Sequence, residues 1–294
     1  MSDTLYSKLP DRGVVLVSGP DVQILFEKLI TNSLPSLSVK NAIHTGLLSP
    51  QGKILFDFFV TRAKGDLIID IAHSSIDEFI ERLAIYRLRS NVTFKNVSNS
   101  FAVMAAWGRN VSYFSDQIIK FEDPRLAELG RRYILPHERL HEFPGDCVSE
   151  KEYHAHRTII GVPEAGHDFV VGNTFPHEAL YDQLGSIDFN KGCFVGQEVV
   201  SRMQHRMIAR KRIVPVCGDK PLISDSIIKI GDVKIGTIGS TIDNRGLALV
   251  RLDQAHEAKA KGINLMAGKA ILNFERRSWL KLDLSTGRPL DEPS

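Results

Sequence analysis

Beyond residue 210 the chain is cut into short β-branched runs: IVPV (213–216), IIKI (227–230), VKIGTIGS (233–240), GLALVRL (246–252) and KAILNF (269–274). Gly, Asn and Asp separate them. Strands this short bury an apolar face by closing on themselves or by stacking as two sheets. The spacing predicts a small antiparallel barrel or sandwich, with a boundary near 205–212. Upstream of that boundary the signals are mixed, as in an α+β fold.

In that upstream part, GVVLVSG (13–19) reads as a strand that turns at Gly19-Pro20. Asp21 is placed to cap a helix with Val22, Leu25, Leu29 and Ile30 on its apolar face. AIHTGLL (42–48) and KILFDFFV (53–60) read as paired strands around SPQGK. Alternation puts Ile54, Phe56 and Phe58 on one face and Leu55, Asp57 and Phe59 on the other. Asp57 is then an acid among apolar neighbours, at a sheet rim or at a functional position. DLIIDIA (66–72) and FAVMAAW (101–107) are further strands, and DPRLAELGRRYILP (123–136) brings a turn, a short helix and a strand. Ser75 to Glu78 and Ser149 to Glu152 have the capping-box spacing, and Gly161 is set to stop the second helix.

A chain of 294 residues is long for a single core, so two or more packed units are expected. Hydrophobic residues at 43% and no apolar run near the roughly 20 residues of a membrane span argue for a soluble protein and against a membrane partner. A net charge of +2 gives no reason to expect stable nucleic-acid binding. MSDTLYSKLPDRGVVLVSG has neither the pattern of a secretory signal nor that of a transit peptide, so the expected compartment is the cytoplasm. Cys147, Cys193 and Cys217 are odd in number and far apart, which speaks against a disulfide framework or a cysteine zinc site.

Several motifs carry possible chemistry. HERLH (137–141) matches a zinc-protease pattern, with Glu164 as a candidate third ligand, but Pro136 and Pro144-Gly145 leave little room for the helix it needs. The pattern reads as coincidence. His154 and His156, two apart on a helix, point in different directions. RMQHRMIARKR (202–212) is a basic run, either a solvated face or an attractor of an anionic ligand or acidic partner. KGCFVGQE (191–198) is the densest stretch. Gly192 and Gly196 allow a sharp turn or a close approach to a ligand. Lys191 offers a cation near Cys193, which would favour its thiolate, and Gln197 and Glu198 offer acceptors. On these residues alone Cys193 is either a reactive thiol or a small buried hydrophobe.

KGCFVGQE resembles the signature of the folate-binding YgfZ family, relatives of the glycine-cleavage T-protein. YRLRSNV (86–92), DPRLAELGRR (123–132), HRTIIGVPEAGHD (156–168), FPHEALYDQLGSIDFNKGCFVGQEVVSR (175–202) and GLALVRLD (246–253) are similar to family text in family order. So is LITNSLP (29–35) followed by LLSPQGKILFDF (47–58). The resemblance implies a T-protein-like fold of three subdomains around a central cavity. Residues 1–208 would form two intertwined α+β subdomains, 209–285 a small β-barrel and 286–294 a loose tail. It also implies a tetrahydrofolate ligand and a part in iron–sulfur cluster assembly or repair for client enzymes, with support of tRNA modification among its consequences. Cys193 matches the family's functional cysteine, with Lys191, Gly192, Gly196, Gln197 and Glu198 around it. Asp57 stands where T-proteins carry a pair of acids, Phe56 replacing the other, and Arg157 and Arg202 are candidates for the folate glutamate tail. One cysteine cannot supply the four thiolates of an ordinary cluster, so no permanently bound metal is expected. Two alternatives stay open: an aminomethyltransferase of the T-protein type, and a folate-responsive scaffold whose Cys193 only packs.

Overall fold

The computed structural model describes residues 4–34, 37, 41–108, 118–142, 147–206, 209–288 and 290. Pro144-Gly145 and the last residues of the expected tail, 289 and 291–294, lie outside the described residues. In chain order the first elements are β1 (Thr4–Lys8), β2 (Arg12–Ser18), α1 (Val22–Glu27), β3 (Ala42–Leu48), β4 (Ile54–Ala63), β5 (Asp66–Ala72) and α2 (Ile76–Arg87). There follow β6 (Thr93–Asn96), β7 (Phe101–Gly108), β8 (Ile119–Glu122), β9 (Arg131–Pro136), β10 (Cys147–Val148), α3 (Glu150–Ile160) and α4 (Gln197–Arg206). The last are β11 (Lys211–Gly218), β12 (Ile227–Ile230), β13 (Val233–Ile242), β14 (Arg245–Arg251), α5 (Leu252–Ala260), β15 (Leu265–Ala267) and β16 (Ala270–Phe274). The chain divides into two interleaved compact units: residues 1–50, 55–153 and 184–197, and residues 51–54, 154–183 and 198–294.

The first unit holds two five-stranded sheets, ordered β10-β1-β7-β9-β8 and β3-β4-β5-β2-β6. Period-2 alternation builds both faces of each sheet. On β4, Phe56, Phe58 and Val60 join a core with α1 and α2, while Phe59 faces the other way. On β7, Val103, Ala105 and Trp107 share the core of Phe59, and Met104 and Ala106 join Tyr133 and Leu135 in a third. The middle core is therefore formed by facing strands of both sheets, and each fully buried Phe in such a layer stabilises by about 1.5–3 kcal/mol.

That middle core also holds charge. Arg12, Asp70, Asp123, Arg125 and Arg132 are all buried there. The Arg132 guanidinium lies 4.0 Å from the Phe59 ring centroid, and Tyr153 Oη accepts hydrogen bonds from Arg132 at 2.7 Å and Arg125 at 3.2 Å. Sequence order conceals this layer, because Asp70 and Arg132 are 62 residues apart.

The second unit contains a closed barrel, β11-β14-β13-β12-β15-β16. It resolves the choice between barrel and sandwich. Helix α5 and the three-residue β15 were absent from the sequence expectation. Two helix starts also differ in detail. Ser75 occupies the N-cap of α2 without a side-chain cap bond, because a 3₁₀ turn, His73–Ser75, leads straight in and keeps Ser75 in helical backbone. Asp21 sits at the N-cap of α1, but its carboxylate accepts from Asn91 N at 2.7 Å instead. Gly161 does end α3, with φ of 101°.

Gly130 is one of two equally tight points among the described residues of the first unit, Gly19 being the other. At Gly130 φ is +83°, and a β-carbon there would lie 2.1 Å from Ala106 O on β7. Gly130→Ala is expected to cost about 2 kcal/mol or more, read as a lower urea midpoint at unchanged slope. An unchanged midpoint would mean that β7 moves aside freely.

Candidate functional site

The KGCFVGQE segment is a loop leading into α4, and it is pinned to residues 27–34 of the same unit. Lys191 Nζ donates to Ile30 O at 3.0 Å and to Asn32 O at 2.7 Å, and lies 3.4 Å from Glu27 Oε2. Glu27 Oε1 in turn accepts from Leu34 N. Asp188 N donates to Thr31 O before this contact, and Val195 N to Lys28 O after it. Burial pushes the Lys191 ammonium below its ordinary pKa, and Glu27 opposes that shift. Its positive charge is committed to three oxygens that hold the loop. The lysine expected near Cys193 is thus also the group that pins the loop.

Between these pins the loop splits its side chains. Phe194 is buried at 8% exposure, with the Lys191 ammonium 5.6 Å from its ring centroid. Cys193 is exposed and unbridged. A small hydrophobe serving only as packing would be turned inward, so the geometry presents this sulfur to solvent. Gly196 has φ of 84° and needs glycine, whereas Gly192 has ordinary backbone and open space around a built β-carbon. The close approach expected at Gly192 is therefore not imposed by crowding among the described residues. Gln197 opens α4, and its Nε2 donates to Gly192 O at 3.4 Å, closing the turn on itself. Glu198 is exposed.

Hydrogen bonds run from the loop as far as His44, whose ring lies beside Asp57. Asn32, whose carbonyl accepts from Lys191, donates through Nδ2 to His44 O at 3.0 Å and Gly185 O at 2.7 Å. His44 lies with Nδ1 2.6 Å from Ser186 Oγ and Nε2 3.1 Å from Asp57 Oδ2. Asp57 is 7% exposed and lies on β4, inside the sheet order, so it is not at a rim. It is an acid packed against a histidine. Sequence reading singled out Asp57 but missed Asn32, His44 and Ser186. The polar TN of LITNSLP, and a histidine within an apolar strand, were the available signals.

The remaining candidates separate. Arg157 is fully buried, donating to His154 Nδ1 at 2.9 Å, Val162 O at 3.2 Å, Asp168 Oδ2 at 2.5 Å and Ser240 Oγ at 2.7 Å. A guanidinium held this way joins α3 to the barrel strand β13 within the second unit, and it cannot serve at a rim. Glu164 is buried beside it, 3.4 Å from Arg157 Nε. Arg202 is exposed on α4 and lines a cavity of about 430 Å³ with Arg210, Lys211, Arg251, Phe175 and Met203. Arg251 already pairs with Asp253 at 2.8 Å, and Glu178 Oε2 accepts from Phe175 N at 2.9 Å, so the other three cations set the sign of the pocket. The basic run is thus neither wholly solvated nor uniform: Arg212 is buried and pairs with Asp182 at 2.7 Å. HERLH forms a 3₁₀ turn, with His137 Nε2 3.1 Å from Ser98 O and His141 Nδ1 2.6 Å from Glu138 O, so the two-histidine face of a zinc helix is absent.

Residues 210–282 match the family model described as the CAF17 C-terminal β-barrel domain. A solved structure of glycine cleavage system aminomethyltransferase T from Bartonella henselae superposes with a TM-score of 0.76, over 98% of this chain and 88% of that one, at 15% identity. The chain has the T-protein fold. At that identity the match carries architecture and no activity. In sequence, the chain is 31% identical over 226 residues to the protein of Mycosarcoma maydis named iron-sulfur cluster assembly factor IBA57 homolog, mitochondrial, covering 71% of this chain and 56% of that one. It is 29% identical over 274 residues to the Homo sapiens iron-sulfur cluster assembly factor IBA57, mitochondrial, covering 83% and 76%. The chain spans little more than half the length of the fungal relative. These relatives carry an assembly-factor name, where the motifs pointed to a folate-binding one.

Proposed function

We propose that this protein is an accessory factor for iron–sulfur cluster assembly or repair, working through the thiol of Cys193 and binding a reduced folate. The observation that carries the proposal is an exposed cysteine at the tip of a loop whose lysine is buried on two carbonyls and a carboxylate. Two named relatives that are assembly factors support the client class. A thiolate is the usual protein ligand for cluster iron, and one thiolate suits transient handling of a cluster or a mixed disulfide with a client. The client or assembly partner supplies the other ligands. A reducing compartment such as the cytoplasm keeps this thiol free. The test is cellular complementation: cluster-enzyme activity at the wild-type level with Cys193→Ala ends the proposal.

Folate chemistry fits the second unit's pocket, where Arg202, Arg210 and Lys211 offer cations to glutamyl carboxylates around Phe175 and Met203. Triglutamyl tetrahydrofolate should bind at least about tenfold more tightly than the monoglutamate, and Arg202→Glu with Lys211→Glu should erase that difference, by titration calorimetry. Equal affinities for the two forms, or no heat from either, remove the folate from this pocket. The transferase alternative has the shared fold and Asp57 in its favour, but Asp57 is held against His44 and Phe56 replaces its partner acid. Glycine-cleavage turnover comparable to a true T-protein would make that reading the better one.

A further inference from the structure

Leu88 ends helix α2 in backbone that its own side chain disfavours. Its φ is 45° and its ψ is −108°, a conformation open to glycine and strained for a residue with a β-carbon. The same residue is 86% exposed. Folding gains nothing from either property. Ile85, one turn back, is 65% exposed, and Ile24 is 62% exposed. Ile24 and Leu88 line a hollow of about 730 Å³ together with Asp21, Arg89 and Ser90. Large aliphatics gathered at one concave surface mark a contact site.

The hollow itself holds one base, Arg89, and one acid, Asp21. Arg87 and Arg89 flank Leu88 and are exposed. Arg89 makes no hydrogen bond or ion pair with any described residue. The acid in the hollow, Asp21, already accepts from Asn91 N. The acids of α2, namely Asp77, Glu78 and Glu81, lie in its first two turns. Near Leu88 the surface offers apolar area and two guanidinium groups.

We propose that this surface docks an acidic segment of a partner protein. One large apolar side chain of that segment packs on Leu88 and Ile24, and carboxylates on either side of it pair with Arg87 and Arg89. The site is independent of Cys193 and of any folate. The strain at Leu88 is the local cost of holding an aliphatic side chain out to the partner.

Leu88→Gly separates docking from folding, because it relieves the strain and removes the contact. Selection of a random twelve-residue peptide display library on the intact protein should recover peptides with Leu, Ile or Phe flanked by Asp or Glu. The consensus peptide, measured by fluorescence polarisation, should lose at least about tenfold in affinity on Leu88→Gly and on Arg87→Glu with Arg89→Glu, while the melting temperature of Leu88→Gly stays level or rises. Recovered peptides without acids, equal binding by Leu88→Gly, or no enrichment would overturn the proposal. So would a dimer in analytical ultracentrifugation that Leu88→Gly dissolves, since the occupant would then be a second copy.

Discussion

A chain carrying Cys193→Ala should fold like the wild type and support on the order of a tenth or less of the cluster-enzyme activity in cells. The two halves of this expectation rest on different facts. Cys193 is exposed, so truncating it removes little packing, and surface substitutions of this kind stay within about 0.5 kcal/mol. Melting temperature and purified yield should not change. Function should fall, because the exposed sulfur on this pinned loop is its one thiolate ligand for cluster iron and its one group able to exchange disulfides. Cys193→Ser refines the test. A hydroxyl has nearly the size of the thiol but is not ionised at neutral pH, so it should be as defective as alanine if thiolate chemistry matters. Wild-type function with serine would leave a hydrogen-bonding or packing role.

The other cysteines are the controls. Cys147 is also exposed, on β10, and Cys217 is half-buried on β11. Neither is carried on a loop held by a buried lysine, so alanine at either position should leave cluster-enzyme activity intact. Equal loss at Cys147 would show that exposure alone decides, and that the KGCFVGQE loop has no special part.

How much of this was legible in the sequence depends on how far each feature reaches along the chain. The barrel strands were legible because β-branched runs and turn residues are local. β15 was too short to register at three residues, and α5 follows β14 without a break that marks its start. The thiol loop was legible as a motif. Its anchoring was not, because Lys191 reaches Ile30 and Asn32 about 160 residues away. Arg157 shows the same limit from the other side. Its charge suggested a ligand, but Ser240, 83 residues on, and Asp168 make it a buried joint. Charge is visible in a sequence, and burial of that charge depends on long-range partners.

Arg132→Met is expected to destabilise the protein by about 3–5 kcal/mol, a large share of the 5–15 kcal/mol typical of a native domain. Methionine fills much of the volume beside Phe59 but returns none of the charge. Asp70 Oδ2 loses a donor at 2.7 Å, Asp123 Oδ2 one at 3.3 Å and Tyr153 Oη one at 2.7 Å, all in a core closed to water. Asp70 keeps Arg12, and Asp123 keeps Arg125, so the loss falls short of two bare charges. Pairing Arg132→Met with Asp70→Leu should recover part of the loss, since removing both partners spares the desolvated carboxylate. Acid gives an independent reading. Burial alone would raise the Asp123 carboxyl, but Arg125 and then Arg132 outweigh it and hold the group at about 2, below its ordinary 3.8. A depressed folded-state value contributes stability that is fully present above about pH 4 and is lost as pH falls through about 2, worth about 2 kcal/mol for this group. Urea midpoints should therefore drop between pH 4 and pH 2. In Arg132→Met one of the two depressing cations is gone, so the drop should begin at higher pH. A variant that melts within about 1 kcal/mol of the wild type, with an unshifted acid limb, would show that Arg12 and Arg125 carry this layer without Arg132.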